Sequence, residues 1–439
     1  MQVERCAHIG TWRTRHLFRL DTGGRRDGST PIEWFVAGAR SFIETAAADR
    51  HREGRWTLAM PTIGTGGGKA DHAGIARDLV PALIEELHRH GDDVDLVLVC
   101  GDAKWFAAAQ MARARVADAF RLSDAREAAA ANLAATFDQE LRPVVFVGAG
   151  VSIGAGLPGW TKLLSDLVPE AVRPALEDLA RRDPLAAAEV VKNRLGSEEA
   201  LAKRVKDRLV PSSGAHSPGL GHMLLAALPA EGYVTTNFDS LLEEALVCAG
   251  KPTIVLPRQQ PQAGCRWVLK LHGTVGDDTL ILTRSNFLRF DASSRSLLSL
   301  VEASLLLREL VVVGFSFTDP NFLRAVDGVR QTLERAGVQR PLFTGLVVDE
   351  EPPLRKDLWP HEVFVDFGPP QAGGDRDQLI FLDRVNALVS SHEHFLDARF
   401  EVLLSDADKN LATALRALQV PARGHGALRR ALASYGGKK

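Results

Sequence analysis

Cysteine is scarce in this chain of 439 residues. Four are present, Cys6, Cys100, Cys248 and Cys265, and no two of them form a CxxC pair. Four thiols are too few for a disulfide framework in a chain of this length. We therefore expect a protein of the reducing cytoplasm.

An excess of charge of either sign and long apolar runs are also missing. Lys and Arg number 53 against 55 for Asp and Glu, which gives a formal net charge of -2. This balance argues against a dedicated nucleic-acid binder, because such proteins usually carry a basic excess. The longest apolar runs fall well short of the roughly 20 residues of a membrane span. The first residues, MQVERCAHIGTWRTRHLFRL, contain no apolar segment of a signal peptide, and we expect no membrane contact.

The remaining composition is that of an ordinary globular chain, with 45% hydrophobic and 25% charged residues. At about 150 residues per domain, the length predicts two to three domains. Residues 1–125 follow the order strand, glycine loop, helix, strand, helix, which is typical of an α/β layer. Residues 126–395 repeat this order at larger scale, with a helical insert at about residues 163–228. Residues 396–439 form a helical tail.

Short, continuous apolar runs in the larger region predict buried parallel strands. The first lies in PVVFVGAG (Pro143–Gly150), and the later ones are Gly232–Thr235, Trp267–Leu271, Leu280–Leu282, Leu310–Val313, Gly345–Val348 and Val363–Val365. Helical patterns lie between many of them. The fold class we predict is α/β, a Rossmann-like parallel sheet with helices on both faces.

A glycine loop comes directly after the first of these strands in the segment VVFVGAGVSIGAGLPGW. Gly148 allows a tight turn, and Gly150 would let backbone N–H groups approach a pyrophosphate at the amino end of the next helix. Ala149 lies between the two glycines, and the polar Ser152 comes shortly after them. The alternative is a glycine-rich turn that only packs tightly.

Polar residues stand at the carboxyl ends of three more strands. The segments are TTNFDSLL, LKLHG and VVVGFSFTDPNF, which begin at residues 235, 269 and 311. Ligands of open α/β sheets bind at this edge. Five side chains should therefore gather near the glycine loop: Asn237, Asp239, His272, Ser316 and Asp319. Two alternatives stay open, since both aspartates stand where helix N-caps are expected and the histidine could be a buried core residue.

Together, the patterns GAGxSxxxGLPxW, TTNFD, LHG and GFSFTDPN resemble the sirtuin superfamily, and most of all its bacterial NAD hydrolases of antiviral defence. The resemblance implies that NAD is the substrate. It also implies a catalytic pair, in which Asn237 orients the nicotinamide ribose or the attacking water and His272 is the general base.

The resemblance further implies a set of NAD-binding residues, in three groups. Gly148, Ala149, Gly150 and Ser152 would cradle the pyrophosphate and adjoining ribose, Asp239 would hold the nicotinamide-side pocket, and Gly314, Ser316 and Asp319 would bind or frame the adenosine half.

The residues after the histidine indicate the acceptor of the reaction. Sirtuin deacylases carry a zinc ribbon of four cysteines there, whereas no cysteine comes after His272 in this chain. We therefore expect no zinc, and water as the acceptor, with nicotinamide and ADP-ribose as products. Two alternatives are an NAD- or ADP-ribose-binding regulatory module without turnover, and a sirtuin-type deacylase or ADP-ribosyltransferase.

Unregulated NAD hydrolysis would be toxic, so control through a homo-oligomer or a partner protein is expected. The partner would be encoded nearby, for example a helicase, an Argonaute-like protein or a nucleotide-processing enzyme. Direct nucleic-acid binding is not expected.

The segment LAMPTIGTGGGKADHAG near the start of the chain resembles the second half of a macro domain, the ADP-ribose-binding module. Pro61, Gly64 and residues 65–68 match the character of its phosphate loop. The residues upstream are too few for a complete macro domain. The first unit is therefore interpreted as a degenerate structural or partner-facing domain, with an ADP-ribose sensor as the alternative.

Overall fold

The computed structural model of the chain describes residues 2–5, 18–21, 30–48, 55–64, 71–91, 94–210, 216–276, 280–349, 352–390, 392–419 and 421–436. Two compact units are present. The first comprises Met1–Arg121 together with Ser390–Lys439, and the second is Leu122–Val389. The segment predicted as a separate tail is grouped with the first unit because its Phe400 and Leu403 lie in one core with Trp105.

The first unit begins with two short sheets and three helices. Its elements are β1 (Gln2–Arg5), β2 (Phe18–Asp21), α1 (Pro31–Ala48), β3 (Trp56–Pro61), α2 (His72–Arg89), β4 (Val94–Val99) and α3 (Ala103–Ala114). Strands β1 and β2 are antiparallel, and β3 and β4 are parallel. The predicted order of strand, helix, strand, helix is confirmed from β3 to α3. Residues 65–68 of the macro-like loop lie outside the described residues.

The second unit alternates strands and helices. Its elements are α4 (Asp124–Phe137), β5 (Val144–Val147), α5 (Gly150–Ile153), α6 (Trp160–Asp166), α7 (Arg173–Arg182), α8 (Pro184–Leu195), α9 (Glu198–Leu209), α10 (Leu220–Ala227), β6 (Gly232–Thr235), α11 (Leu241–Cys248), β7 (Thr253–Leu256), β8 (Arg266–Lys270), α12 (Arg284–Leu307), β9 (Leu310–Val313), α13 (Pro320–Arg335), β10 (Phe343–Val347), α14 (Pro352–Leu358), β11 (Val363–Asp366) and α15 (Gly374–Val389). Two further helices, α16 (Asp406–Ala417) and α17 (Gly426–Ser434), return to the first unit. Throughout the described part of the chain, every helix is too short or too polar to cross a membrane.

Seven parallel strands form the sheet of the second unit, in the order β11-β10-β9-β5-β6-β8-β7. Strands β5, β6 and β9 are buried at every residue, because helices cover both faces of the sheet. Val145 and Val147 of β5 belong to the core on one face, and Val144 and Phe146 to the core on the other. The predicted α/β, Rossmann-like fold is confirmed.

The strand order places a switch point at β5. The chain runs from β5 to β6 on one side, and β9 pairs with the other side of β5. A crevice forms at such a point beyond the carboxyl ends of the strands, because the connections leave in opposite directions. The loops after β5, β6 and β9 therefore meet where a ligand site is expected.

Helices α6 to α9 form the body of the predicted insert and pack around a core of their own. Leu280 and Leu282 join this core, although both were predicted to lie in a strand. That strand prediction is wrong, since residues 280–282 have no regular secondary structure and lead to the helix cap at Thr283. The last helix of the predicted insert, α10, packs on the core of the sheet through Leu224 and Leu225.

Candidate functional site

The loops after β5 and β9 touch through their backbones. The N–H of Gly148 donates to the carbonyl of Val313 at 2.9 Å, and the N–H of Gly150 donates to the carbonyl of Gly314 at 2.9 Å. Gly314 has a φ of +65°, which is costly for any residue with a Cβ. The sequence motifs GAG and GFS are thus brought together directly.

The predicted phosphate cradle is only partly formed. The helix after the glycine loop, α5, is a single turn of four residues. The N–H groups of Val151 and Ser152 donate to carbonyls of Gly148 and Ala149, at 3.3 and 3.0 Å. Because these donors and that of Gly150 are engaged within the protein, binding of a pyrophosphate by this loop stays a prediction.

The side chain of Asn237 is held in one orientation. Its Nδ2 donates to the carbonyl of Gly148 at 3.1 Å and to Oγ of Ser152 at 3.2 Å. A carbonyl can only accept, so the amide nitrogen must face Gly148 and the amide oxygen must point the other way. Oδ1 is buried and has no hydrogen-bond partner among the described residues. It is an acceptor placed for a water or hydroxyl group.

Ser152 links Asn237 to a histidine and an aspartate. His222 accepts a hydrogen bond at Nδ1 from the N–H of Gly219, at 3.2 Å, so its proton is on Nε2. Nε2 lies 3.2 Å from Oγ of Ser152, which in turn donates to Oδ2 of Asp239 at 3.0 Å. The serine hydroxyl thereby accepts from Asn237 and His222 and donates to Asp239, and its bonding capacity is filled.

Burial controls the charge of His222. It lowers the pKa of this imidazole, against the opposing effects of Asp239 and Glu244. The neutral form agrees with the tautomer that the hydrogen bond from Gly219 requires. The network around Ser152 is therefore a set of neutral donors that ends on one carboxylate.

His272 occupies the equivalent place on the neighbouring strand. Thr235 of β6 pairs with Lys270 of β8, and Asn237 and His272 each stand two residues further along. The N–H of Leu271 donates to the carbonyl of Thr235 at 2.9 Å, which continues the pairing past the strand ends. The two predicted catalytic residues thus follow paired, neighbouring strands at the same edge of the sheet.

The imidazole of His272 is almost fully buried, and its ring lies edge-on to that of Phe287 at 5.1 Å. Its Nε2 is 3.2 Å from Oδ2 of Asp319, although the angles are not those of a hydrogen bond. Burial lowers the pKa of His272, and the charge of Asp319 opposes this effect. The ring is therefore neutral at pH 7 and able to take a proton.

The loop after β9 is held in a strained shape. Phe317 has a φ of +60°, which is unusual for a bulky residue. Its ring packs against Phe322, Phe343 and Phe364, with centroids 5.4 to 6.0 Å away, and this packing supports the strain. The loop turns so that Asp319 faces His272.

Not all predicted residues meet. Ser316 is exposed, and its hydroxyl contacts Thr318 at 2.8 Å and not the buried network. Asp319 caps α13, as the alternative interpretation predicted, with Oδ1 accepting from the N–H groups of Asn321 and Phe322 at 2.9 and 3.0 Å. Asp239 stands one residue before Ser240, the N-cap of α11, and its Oδ1 accepts from the N–H of Leu241 at 3.1 Å, while its role on the nicotinamide side of NAD stays a prediction.

Sequence analysis missed two residues of the site. His222 stands among the apolar residues of α10, where nothing local separates a ligand from a core residue. Lys270 is a buried cation at the end of β8, with Nζ bonded to the carbonyl of Asp239 and 3.1 Å from Oε1 of Glu243. The sequence feature that could have identified Lys270 is its position two residues before His272.

Within the described part of the chain, no group of three or more His, Cys, Asp or Glu side chains could hold a metal ion.

Comparison with known families gives this site its context. Residues 231–364 match the model of the family described as SIR2-like domain. This segment is therefore similar to SIR2-like domains. The matched SIR2-like segment includes Asn237, Asp239, His272 and Asp319, while the glycine loop after β5 precedes it in the chain and joins it in the sheet.

Curated proteins similar to this chain include two that carry the name NAD(+) hydrolase ThsA. The one from Enterococcus faecium is 31% identical over 208 residues, which cover 45% of this chain and 42% of the relative. The one from Acinetobacter baumannii (strain 532279) is 29% identical over 198 residues, covering 44% and 40%. Defense-associated sirtuin 2 from Bacillus subtilis is 26% identical over 211 residues, covering 46% and 20%. The chain thus spans less than half the length of these relatives.

Proposed function

We propose that this chain is an NAD hydrolase. The bond between C1′ of the ribose and the nicotinamide nitrogen breaks, its electron pair goes to the pyridinium ring, and water adds at C1′. The products are nicotinamide, ADP-ribose and a proton. The observation that carries the proposal is the buried Oδ1 of Asn237, which has no partner among the described residues and lies at the same sheet edge as the buried imidazole of His272.

Each residue has a chemical task in this reaction. Cleavage develops positive charge on the ribose, and the amide oxygen of Asn237 orients the water or ribose hydroxyl beside it. His272 accepts the proton that the water loses, which its lowered pKa permits at pH 7. Ser152, His222 and Asp239 hold the amide in place.

The names of the relatives support this choice of reaction. Two matched proteins are named NAD(+) hydrolases and a third is named a defence-associated sirtuin. We extend the proposal to a role in antiphage defence, as an NAD-depleting effector in the cytoplasm. Control would come from a homo-oligomer or a partner protein, and the first unit, with its macro-like loop, would serve that control and not the chemistry.

Release of nicotinamide from NAD by the purified full chain, alone or together with its partner protein, tests the proposed reaction. Asn237→Ala and His272→Ala should each lower the rate at least about 100-fold, as expected when an orienting group or a general base is lost. His361→Ala, at an exposed histidine, is the matched control and should keep the full rate. Full turnover in both site variants would refute the assignment, whereas NAD binding without turnover in the wild type would favour a regulatory module.

A further inference from the structure

The two carboxylate oxygens of Asp319 face different parts of the protein. Oδ1 accepts two backbone N–H groups at the start of α13, so the carboxylate is fixed in position and orientation. Oδ2 is directed to Nε2 of His272 at 3.2 Å. The side chains of the histidine and the aspartate are 6% and 10% exposed, so little water separates or screens them.

We propose that Asp319 is a positioning residue that orients His272 and stabilises its protonated form during the reaction. The proposal rests on the proposed function and assigns Asp319 a role in proton transfer, in place of binding the adenosine half. The proton of neutral His272 would be held on Nε2, toward the carboxylate, which leaves the lone pair on Nδ1 to accept the proton from water.

The chemistry of the pair supports this role. A carboxylate beside an imidazole selects one tautomer and stabilises the imidazolium, as in other hydrolytic sites. The distance is within reach of a hydrogen bond, and catalytic contacts of this kind often reach good alignment only when substrate binds. The left-handed backbone at Phe317 brings the carboxylate to the ring, so the contact depends on a strained loop held by aromatic packing.

The charge environment of His272 is simple. From α12, the group packed against the ring is the aromatic Phe287. From the start of α13, the facing group is Asp319, and among the described residues it is the charged group whose field acts on the ring. Removing that charge while keeping the helix cap should therefore change the pKa of one histidine in a known direction.

Substitutions can separate the two roles of Asp319. Asn and Ser cap helices about as well as Asp, so Asp319→Asn and Asp319→Ser should keep α13 and the fold. Neither asparagine nor serine carries a negative charge. The matched control is Asp183→Asn, because Asp183 caps α8 by accepting from the N–H of Ala186 at 2.8 Å and has no such role at His272.

The first measurement needs no substrate. In an NMR titration of histidine-labelled full chain, with the His272 signal assigned by its loss in His272→Gln, the pKa of His272 should fall in Asp319→Asn and stay unchanged in Asp183→Asn. An unchanged pKa in Asp319→Asn would overturn the proposal, whether or not the chain hydrolyses NAD.

The second measurement is kinetic. Asp319→Asn and Asp319→Ser should lower kcat at least about 100-fold, as for a disturbed general base. KM should change by less than about threefold, since the substitution removes no interaction that binds substrate and transition state equally. The acid limb of the pH profile of the residual activity should move to lower pH.

A raised KM with unchanged kcat would make Asp319 a substrate-binding residue and overturn the proposal. Absence of nicotinamide release from the wild type would refute the proposed function alone, because the titration judges the pair separately.

Discussion

Gly148 and Gly314 lie so close that neither can carry a side chain. A Cβ built on Gly148 would come within 2.4 Å of the carbonyl oxygen of Gly314, and one on Gly314 within 2.6 Å of the backbone nitrogen of Val151. Both distances are far below van der Waals contact, and the neighbouring atoms are backbone that cannot turn aside. The two glycine motifs of the sequence are thus two halves of one contact.

Gly314→Ala should destabilise the second unit and abolish nicotinamide release, because it adds a backbone clash to an unfavourable φ. Gly337→Ala is the matched control, with a similar φ of +70° and nothing within 4 Å of the new Cβ. The control should lose only the roughly 1–2 kcal/mol of left-handed strain. Urea unfolding of both variants gives the comparison, and equal losses of stability would show that the loops can separate.

Acid should destabilise the fold through its buried histidines. Burial lowers the pKa values of His222 and His272, and it lowers the pKa of His394 in the first unit to about 4, with His392 and Arg115 adding to the effect. The unfolded chain binds protons at these groups from about pH 6.5 downward, whereas the folded chain does not. The free energy of unfolding should therefore be highest above about pH 6.5 and should fall as the pH drops from about 6.5 toward 4.

Urea unfolding at pH 7 and pH 5 measures this dependence. His394→Gln removes one of the titrating groups, so its loss of stability between the two pH values should be smaller than that of the wild type. An equal loss of stability between the two pH values in both proteins would show that protonation of His394 does not destabilise the folded chain.

Several elements could be predicted from the sequence because their causes are local. Strands β6 and β9 lie at the predicted residues, since buried apolar runs between turn residues define them. Strand β7 was missed because only Ile254 of its four residues is buried. Residues 280–282 are as apolar as a strand, but their burial comes from the insert.

The site was predicted as a group of residues and not as a geometry. The motifs gave Asn237, Asp239, His272 and Asp319, because polar residues after parallel strands must meet at one edge. They could not give the contact of Asp319 with His272, which depends on the backbone at Phe317. They could not give His222 either, since its partner Ser152 lies 70 residues away along the chain.

Metal analysis checks the interpretation of the cysteines. We expect the purified chain to contain far less than one equivalent of zinc, and chelators to leave both its melting temperature and its nicotinamide release unchanged, since no cysteine comes after His272. Stoichiometric zinc that is lost together with stability on chelation would contradict this expectation and return the deacylase alternative.

The pairing of Thr235 with Lys270 has a consequence for how such a site can change over time. Both catalytic candidates are placed by counting two residues beyond a fixed pair, so a deletion of one residue within β8 would bring Gly273 to the position of His272. Val268 and Leu269 pack in the cores on the two faces of the sheet. The same deletion would move each of them to the other face and disrupt both cores. Insertions and deletions that leave the hydrophobic cores intact therefore also leave the two catalytic candidates in place. The site can then change only by substitution of its residues or by changes in the loops beyond the strand ends.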